Sequence, residues 1–178
     1  NMAWGYGDSH HFVIESSAGG RDEYKHFVRE CHRRGIAVIQ DVCYNHFDQN
    51  VERAEWQYDS TDPEQNIYYW YEGKASDHNF ADGGYIDNGS SGWAPRYWEE
   101  IVRHVFVSSA AEFIEEFHVD GLRVDLTQAL HRDNALHANG WSVARANQFG
   151  AKLLREWSRT LKMIKPTVML IAEDHSEW

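Results

Sequence analysis

The sequence has 178 residues, enough for one ordinary domain, and 14% of them are aromatic. This composition indicates a folded protein, because disordered segments contain few aromatic residues. A net charge of -11 disfavours binding to nucleic acid or to an anionic membrane, since both require basic surfaces. No apolar run approaches the roughly 20 residues of a membrane helix. A neutral ligand such as a sugar fits an aromatic, acidic chain.

The cysteines, Cys31 and Cys43, form neither a metal-binding pair nor a disulfide framework. Two buried thiols in a reducing compartment are expected, which predicts a cytoplasmic protein. The histidines show no zinc-ligand spacing.

The predicted elements begin with a helix from about Asp22 to Arg34, with Tyr24, Phe27, Val28 and Cys31 on one face. A buried parallel strand from Ile36 to Val42 follows. Residues 47–94 lack periodicity, which is typical of a functional insertion. The later elements are a helix from Pro95 to Phe117, a strand from Gly121 to Leu126, a helix from Val143 to Met163 and a strand from Val168 to Ala172.

Strands separated by helices indicate an α/β fold with a parallel sheet and right-handed crossovers. Three such strands fit either a doubly wound sheet or part of a barrel. The predicted division is a first segment at 1–46, a loop-rich insertion at 47–94 and a second segment at 95–178.

Each predicted strand ends in polar residues, where the chemistry of parallel α/β folds collects. Alternation places Arg123 and Asp125 on the face opposite Leu122, Val124 and Leu126. An arginine next to Asp125 would keep this carboxylate ionised, as a nucleophile requires.

Glu173, after the next strand, would be a general acid of higher pKa. Two carboxyls roughly 5 to 5.5 Å apart serve a retaining glycosidase. An isolated Arg-x-Asp pair is more often an ordinary ion pair. The catalytic interpretation gains weight because three successive strands end in this way.

Three segments resemble motifs of the α-amylase superfamily. Residues 41–46 (Asp-Val-Cys-Tyr-Asn-His) resemble its Asp-Val-Val-x-Asn-His segment, 120–125 its nucleophile segment, and 170–173 the segment that ends in the acid/base. The segment Trp4-Gly5-Tyr6 resembles the one that follows the second strand. The resemblance implies strands three to five of a (β/α)8 barrel, with the family's third carboxylate outside this chain. Such a segment alone is expected to be inactive.

The resemblance also assigns roles. Asp125 would be the nucleophile and Glu173 the acid/base, with Arg123 orienting Asp125. The remaining implied roles are sugar binding by His46 and stacking by Tyr6, with structural support from Asp41 and Asn45. Without the neighbouring motifs, His46 would be interpreted as a capping residue at the start of a loop, and Tyr6 as a packed aromatic residue.

Asn45 matches a position that binds structural calcium in many amylases. Ca²⁺ takes six to eight oxygens, and one asparagine does not make a site. No cofactor is therefore expected, and structural Ca²⁺ is left unassigned.

The chain departs from typical α-amylases at Gln128 and Ala129, where a Lys-His pair is usual. Branching enzymes and maltooligosyl trehalose trehalohydrolases also lack that pair, and the run from Phe117 to Arg123 resembles both. We expect an α-1,4-glucan enzyme closest to a branching enzyme, with a trehalohydrolase as the alternative. A non-catalytic binding homologue and an unrelated barrel with metal-bound carboxylates are the competing classes.

Overall fold

The computed structural model describes residues 5–7, 10–48, 92–93, 95–133 and 143–176. These residues form three main helices, a three-stranded parallel sheet and a two-stranded ribbon. The helices are α1 (Gly20–Arg33), α2 (Glu100–Glu115) and α3 (Val143–Ile164). The strands are β1 (Ile39–Val42), β2 (Phe47–Asp48), β3 (Gly92–Trp93), β4 (Gly121–Val124) and β5 (Met169–Ala172).

The parallel sheet has the order β1-β4-β5, so each strand pairs with the next parallel strand along the chain. Its register aligns Asp41 with Arg123 and Arg123 with Ile171. The alternation of sheet side chains therefore places matching residues of the three strands in rows across each face.

The main core lies on the helix-covered face of the sheet. Leu122 is fully buried and Val124 is 2% exposed, as the alternation predicted. The apolar faces of α2 and α3 pack against them, and burial of such side chains contributes about 1.5–3 kcal/mol each. The other core residues include Val28, Val42, Val102, Phe106, Ile114, Phe117, Leu153, Trp157, Leu161 and Val168.

Helix α1 begins two residues before the predicted Asp22, after Gly19 in a left-handed conformation. Val28 is buried on its inner face, whereas Phe27 is 53% exposed. The expectation that Phe27 faces the core is wrong: its ring stacks on Tyr24 at 6.3 Å between centroids, at the edge of the inner face.

Helix α2 begins at Glu100 rather than at Pro95. The reason is a buried arginine: Arg103 Nη1 donates to the carbonyls of Tyr97 and Trp98 at 2.8 and 3.2 Å. These contacts hold the preceding segment as a turn. Ile101, an apolar residue in the first turn of this helix, is 47% exposed.

Strand β4 ends at Val124, two residues before the predicted end. Leu126 leaves the sheet with a φ of 44°, a left-handed conformation that is unusual for a residue other than glycine. Its predicted place on the apolar face of the strand is therefore wrong. The other strands begin slightly later than expected, at Ile39 and Met169.

The two ends of the predicted insertion meet in the ribbon, where β2 pairs antiparallel with β3 and Phe47 lies opposite Trp93. Residues 49–91 lie outside the described part of the chain, so the boundaries of this segment stay a prediction. Across the described ranges, no helix is long and apolar enough to cross a membrane.

Candidate active site

The open face of the sheet, opposite the helices, carries the site. Its first row is Ile39, Gly121 and Met169, and its second is Asp41, Arg123 and Ile171. The ladder continues beyond the strands, since the Asp125 amide donates to the Val42 carbonyl and the Glu173 amide to the Val124 carbonyl, each at 3.0 Å. Regular strand pairing therefore places Asp125 and Glu173 side by side at the carboxyl end of the sheet.

Arg123 joins three carboxylates. Its Nη1 lies 2.6 Å from Asp41 Oδ2 and 3.2 Å from Asp125 Oδ1, and its Nη2 lies 2.8 Å from Glu173 Oε2. The hydrogen bond with Asp41 is the main cause that raises the pKa of Arg123 above its ordinary value. A permanently charged guanidinium is therefore shared by both predicted catalytic residues and by the brace residue Asp41.

Asp125 is held on its second oxygen by the segment after β1. Asn45 Nδ2 donates to Asp125 Oδ2 at 2.9 Å, and the Cys43 thiol lies 3.5 Å from the same oxygen. Both donors are buried, Asn45 completely and Cys43 to 4% exposure. The structure thus places Asn45 as a direct support of Asp125, and it adds Cys43, which sequence reasoning treated only as a buried thiol.

Glu173 is held by backbone as well as by Arg123. The amide of Leu126 donates to Glu173 Oε2 at 2.9 Å. His175 Nε2 lies 3.8 Å from Glu173 Oε1 on the solvent side. The contact from the Leu126 amide could not be read from the sequence, because it depends on the left-handed φ of Leu126.

The two carboxyls lie next to each other on the guanidinium of Arg123, at 3.2 Å from Asp125 Oδ1 and 2.8 Å from Glu173 Oε2, and the expected separation of roughly 5 to 5.5 Å between them stays a prediction. Burial raises the pKa of Asp125, and the neighbouring Glu173 adds to the rise. The pKa of Glu173 is lowered, first by the Leu126 amide and further by Arg123. Burial thus acts on Asp125 and the Leu126 amide on Glu173 in the sense opposite to the expected difference between the two carboxyls, and which of them is the stronger acid stays a prediction.

The predicted sugar-binding residues lie beside this pair. The ring nitrogens of His46 lie 2.7 Å from Asn45 Oδ1 and 2.9 Å from the Tyr6 carbonyl. The Tyr6 hydroxyl lies 3.5 Å from Asp41 Oδ2. The chain thus brings all the predicted site residues to one end of the sheet, while their contacts with a sugar stay a prediction.

A polar cluster lies behind Glu173. Asp174 Oδ2 lies 2.9 Å from Thr127 Oγ1 and 2.7 Å from His131 Nε2, and the Ser176 amide donates to Asp174 Oδ1 at 2.8 Å. Burial would raise the pKa of Asp174, but these hydrogen bonds lower it well below its usual range. Asp174 is therefore fixed by hydrogen bonds from its neighbours. No motif in the sequence singled out Thr127 or His131.

Among the residues that the structure describes, no group of three or more His, Cys, Asp or Glu side chains is arranged to hold a metal ion. The side-chain oxygen of Asn45 faces His46 and its amide faces Asp125. Both ends of this side chain are therefore engaged within the site, and structural Ca²⁺ stays unassigned.

Known proteins match most or all of this chain. Residues 1–177 match the family model "Alpha amylase, catalytic domain". A 1,4-alpha-glucan branching enzyme from Nitrosococcus oceani is 31% identical over 100% of the chain and 23% of its own length. A malto-oligosyltrehalose trehalohydrolase from Arthrobacter ramosus is 29% identical over 85% of the chain and 23% of its own length.

A solved cyclomaltodextrinase superposes with a TM-score of 0.69 at 20% identity, over 94% of the chain and 26% of that protein. This likeness confirms the expected fold class, part of a (β/α)8 barrel. The chain spans about a quarter of the length of the curated relatives it matches. It belongs to the alpha-amylase family and represents part of the catalytic domain.

Proposed function

We propose that the protein containing this chain is a retaining enzyme that acts on α-1,4-glucans by double displacement, with Asp125 as nucleophile and Glu173 as acid/base. The observation that supports this proposal most is the bridge by Arg123, which contacts both carboxyls at adjacent strand ends. An ordinary ion pair needs only one carboxylate. Two neighbouring carboxyls bound to one cation titrate as a pair and can hold a single proton.

In the first half-reaction, Asp125 attacks the anomeric carbon while Glu173 protonates the departing glycosidic oxygen. The bond to the leaving sugar breaks as the bond to Asp125 forms. In the second half-reaction, Glu173 takes a proton from the acceptor hydroxyl, whose oxygen displaces Asp125. The configuration at the anomeric carbon is retained after two inversions.

The directions of the two pKa values bear on how this cycle starts. The raised pKa of Asp125 and the lowered pKa of Glu173 both act against a proton on Glu173 when no substrate is bound. The reactive state needs that proton on Glu173. Because the two carboxyls lie next to each other on Arg123, moving one proton from Asp125 to Glu173 produces the reactive state without changing the total charge. A bound sugar that excludes water and offers its glycosidic oxygen to Glu173 would favour the reactive state.

The acceptor in the second half-reaction decides between transfer and hydrolysis. We infer transfer to a glucan hydroxyl, as in a branching enzyme, because the branching enzyme named above matches the chain at 31% identity over its whole length. The trehalohydrolase, at 29% identity over 85% of the chain, supports hydrolysis as the alternative. A cytoplasmic location stays a prediction.

The test is product analysis with the full-length protein on linear amylose. A branching enzyme forms α-1,6 linkages, visible as new anomeric proton signals, without a matching rise in reducing ends. A hydrolase raises reducing ends alone. The Asp125→Asn variant is the control and should show neither product.

Maltooligosaccharide binding without turnover by the wild-type protein would instead show a non-catalytic homologue. Full turnover by Asp125→Asn would contradict the proposed mechanism. A metal-dependent barrel enzyme would lose activity after chelation and dialysis, whereas the proposed chemistry should not.

A further inference from the structure

The residue after the predicted nucleophile has an unusual backbone. Leu126 has a φ of 44°, a region that side chains other than glycine rarely adopt. Such conformations cost free energy and persist only where the surrounding structure imposes them. The conformation of Leu126 has a consequence in this site, because it directs the Leu126 amide to Glu173 Oε2 at 2.9 Å.

Thr127 fastens the same turn to the backbone of β5. Its amide donates to the Glu173 carbonyl at 2.8 Å, and its hydroxyl lies 2.8 Å from that carbonyl and 2.9 Å from Asp174 Oδ2. The side chain is buried, with Thr127 2% exposed. The turn after β4 and the loop after β5 are therefore joined at Glu173 and Asp174.

His131 contacts Asp174, the last residue of this connection. Its side chain is 4% exposed, and Nε2 lies 2.7 Å from Asp174 Oδ2. The short π-helix that carries it, Ala129–Asp133, packs against α3 at Gly150. A Cβ at position 150 would lie 1.6 Å from the Leu130 carbonyl oxygen, so only glycine permits this approach. The position of His131 is thus set by helix packing.

We propose that Thr127, His131 and Asp174 form a clamp of positioning residues, which holds the strained Leu126 amide against the carboxylate of Glu173. This inference rests on the proposed function, in which Glu173 is the acid/base. The clamp residues act through Leu126 and the backbone of Glu173, and none of them faces the cleft at the position of the reacting atoms.

The clamp predicts a specific effect on Glu173. The charged groups that face this carboxyl are Arg123, Asp125 and, on its own loop, His175. Loss of the Leu126 amide contact would leave these in place and remove the largest cause that lowers the pKa of Glu173. Since the acid must be protonated to react, the alkaline limb of the kcat/KM profile should move to higher pH.

The first experiment compares His131→Ala and Thr127→Val with the wild-type full-length protein. Both variants should lower kcat roughly 10-fold to 100-fold with KM changed less than twofold, because a misplaced acid mainly affects the transition state. Both should also shift the alkaline limb upward. His131→Gln, which keeps a donor near Asp174, should restore most of the loss. His104→Ala is the matched control, since His104 pairs with Glu100 on the exposed side of α2.

A rescue experiment separates the clamp from general stability. In Leu126→Gly/His131→Ala, a left-handed φ no longer costs free energy, so the amide can point at Glu173 without the clamp. The double variant should recover kcat relative to His131→Ala. A merely structural role predicts a further loss, since both substitutions remove packing.

Hydrogen exchange measured by mass spectrometry tests the clamp without turnover. His131→Ala should speed exchange in peptides covering 124–131 and 173–176, and His104→Ala should not. Unchanged exchange, or a kcat and pH profile equal to those of the wild type, would overturn the clamp. If wild-type protein shows no turnover, the proposed function fails, and the exchange result still decides the clamp.

Discussion

The two faces of the parallel sheet carry the same register but opposite kinds of residue. On the helix-covered face, Leu122 and Val124 are buried at 0% and 2% exposure. On the open face, Asp41 and Arg123 form an ion pair at 2.6 Å, with Ile171 of the next strand 45% exposed. Adjacent residues of β4 therefore serve two unrelated purposes.

The comparison shows what strand pairing contributes to each face. On the covered face, any apolar side chain of suitable volume can satisfy the core, because burial is non-directional. On the open face, pairing places specific groups within hydrogen-bond distance, so Arg123 reaches the strands on both sides. Changes on the first face should alter stability, and changes on the second should alter chemistry.

We expect the largest effects from the two carboxyls at the end of the open face, and their catalytic roles can be distinguished by the choice of substrate. In the full-length protein, Asp125→Asn should lower kcat/KM on a maltooligosaccharide roughly 10⁴-fold or more, since it removes the nucleophile. Glu173→Gln should lower it roughly 10²- to 10⁴-fold. On an α-maltosyl fluoride, whose leaving group needs no proton, Glu173→Gln should form the glycosyl intermediate at a near wild-type rate and Asp125→Asn should not. Equal behaviour of the two variants on the fluoride would contradict these roles.

Neighbouring residues of β4 give the second prediction. Leu122→Ala should destabilise the protein by about 2–5 kcal/mol, as a lost core side chain does, with kcat of the folded fraction unchanged. Arg123→Lys should change stability little and lower kcat roughly 100-fold, because a single ammonium cannot replace the guanidinium fork that positions three carboxylates. Denaturant titration and steady-state kinetics measure the two effects. A large kcat loss in Leu122→Ala would break the distinction between the faces.

Much of the fold followed from periodicity, since the three strands, the three helices and the two faces of β4 were predicted. The errors lie where a tertiary contact overrides local pattern. Arg103 is a charged residue among the apolar positions of α2, yet it is 3% exposed and donates to two carbonyls of the turn before α2. No periodicity predicts such a contact, because the partner carbonyls belong to an irregular segment.

The site was predictable as a set of residues but not as an electrostatic arrangement. The motif resemblance and the strand ends named Asp125, Glu173 and Arg123, and the structure brings them together. The directions of the pKa shifts of Asp125 and Glu173 could not be predicted, because they depend on burial and on the amide of Leu126. A sequence pattern contains neither the left-handed φ of Leu126 nor the buried position of His131.

The carboxylate of Asp120 lies at the amino-terminal end of the sheet. We expect its substitution to have a smaller effect, on stability rather than on catalysis. Asp120 Oδ2 accepts from the Val38 amide at 2.8 Å and lies 2.8 Å from His32 Nε2, with Lys165 Nζ 3.3 Å from Oδ1. Partial burial opposes ionisation, but these donors lower the pKa of Asp120 below its ordinary value. The contribution of Asp120 to the free energy of unfolding is therefore present above about pH 4, and it is lost as the pH falls through the lowered pKa of the folded state.

Asp120→Asn should lower stability near neutral pH by about 1 kcal/mol or less, since the group is partly exposed. It should also flatten the decline in stability below about pH 4. Denaturant midpoints measured between pH 2 and pH 7 test both points. An equal decline in the variant and the wild type would remove Asp120 as a source of acid sensitivity. Because Asp120 lies at the opposite end of the sheet from the site, kcat should not change.

The smallest expected effect concerns Cys43, which stands where the motif resembled by residues 41–46 has valine. Its thiol, 3.5 Å from Asp125 Oδ2, favours the ionised form of that carboxyl and so opposes the rise in its pKa. Cys43→Val removes the donor at similar volume. The pKa of Asp125 should then rise further, and the acid limb of kcat/KM should move up by roughly half a pH unit, as loss of a weak hydrogen bond implies.

Cys43→Ser keeps a donor at this position and should leave the acid limb near that of the wild type. Cys31→Ser, a change on α1 away from the site, controls for loss of a thiol as such. If Cys43→Val and Cys43→Ser shift the limb equally, the thiol is acting through packing rather than through its proton. If only Cys43→Val shifts the acid limb, even a weak buried donor beside Asp125 changes the pKa of this carboxyl. On the helix-covered face, by contrast, a valine is an ordinary core residue.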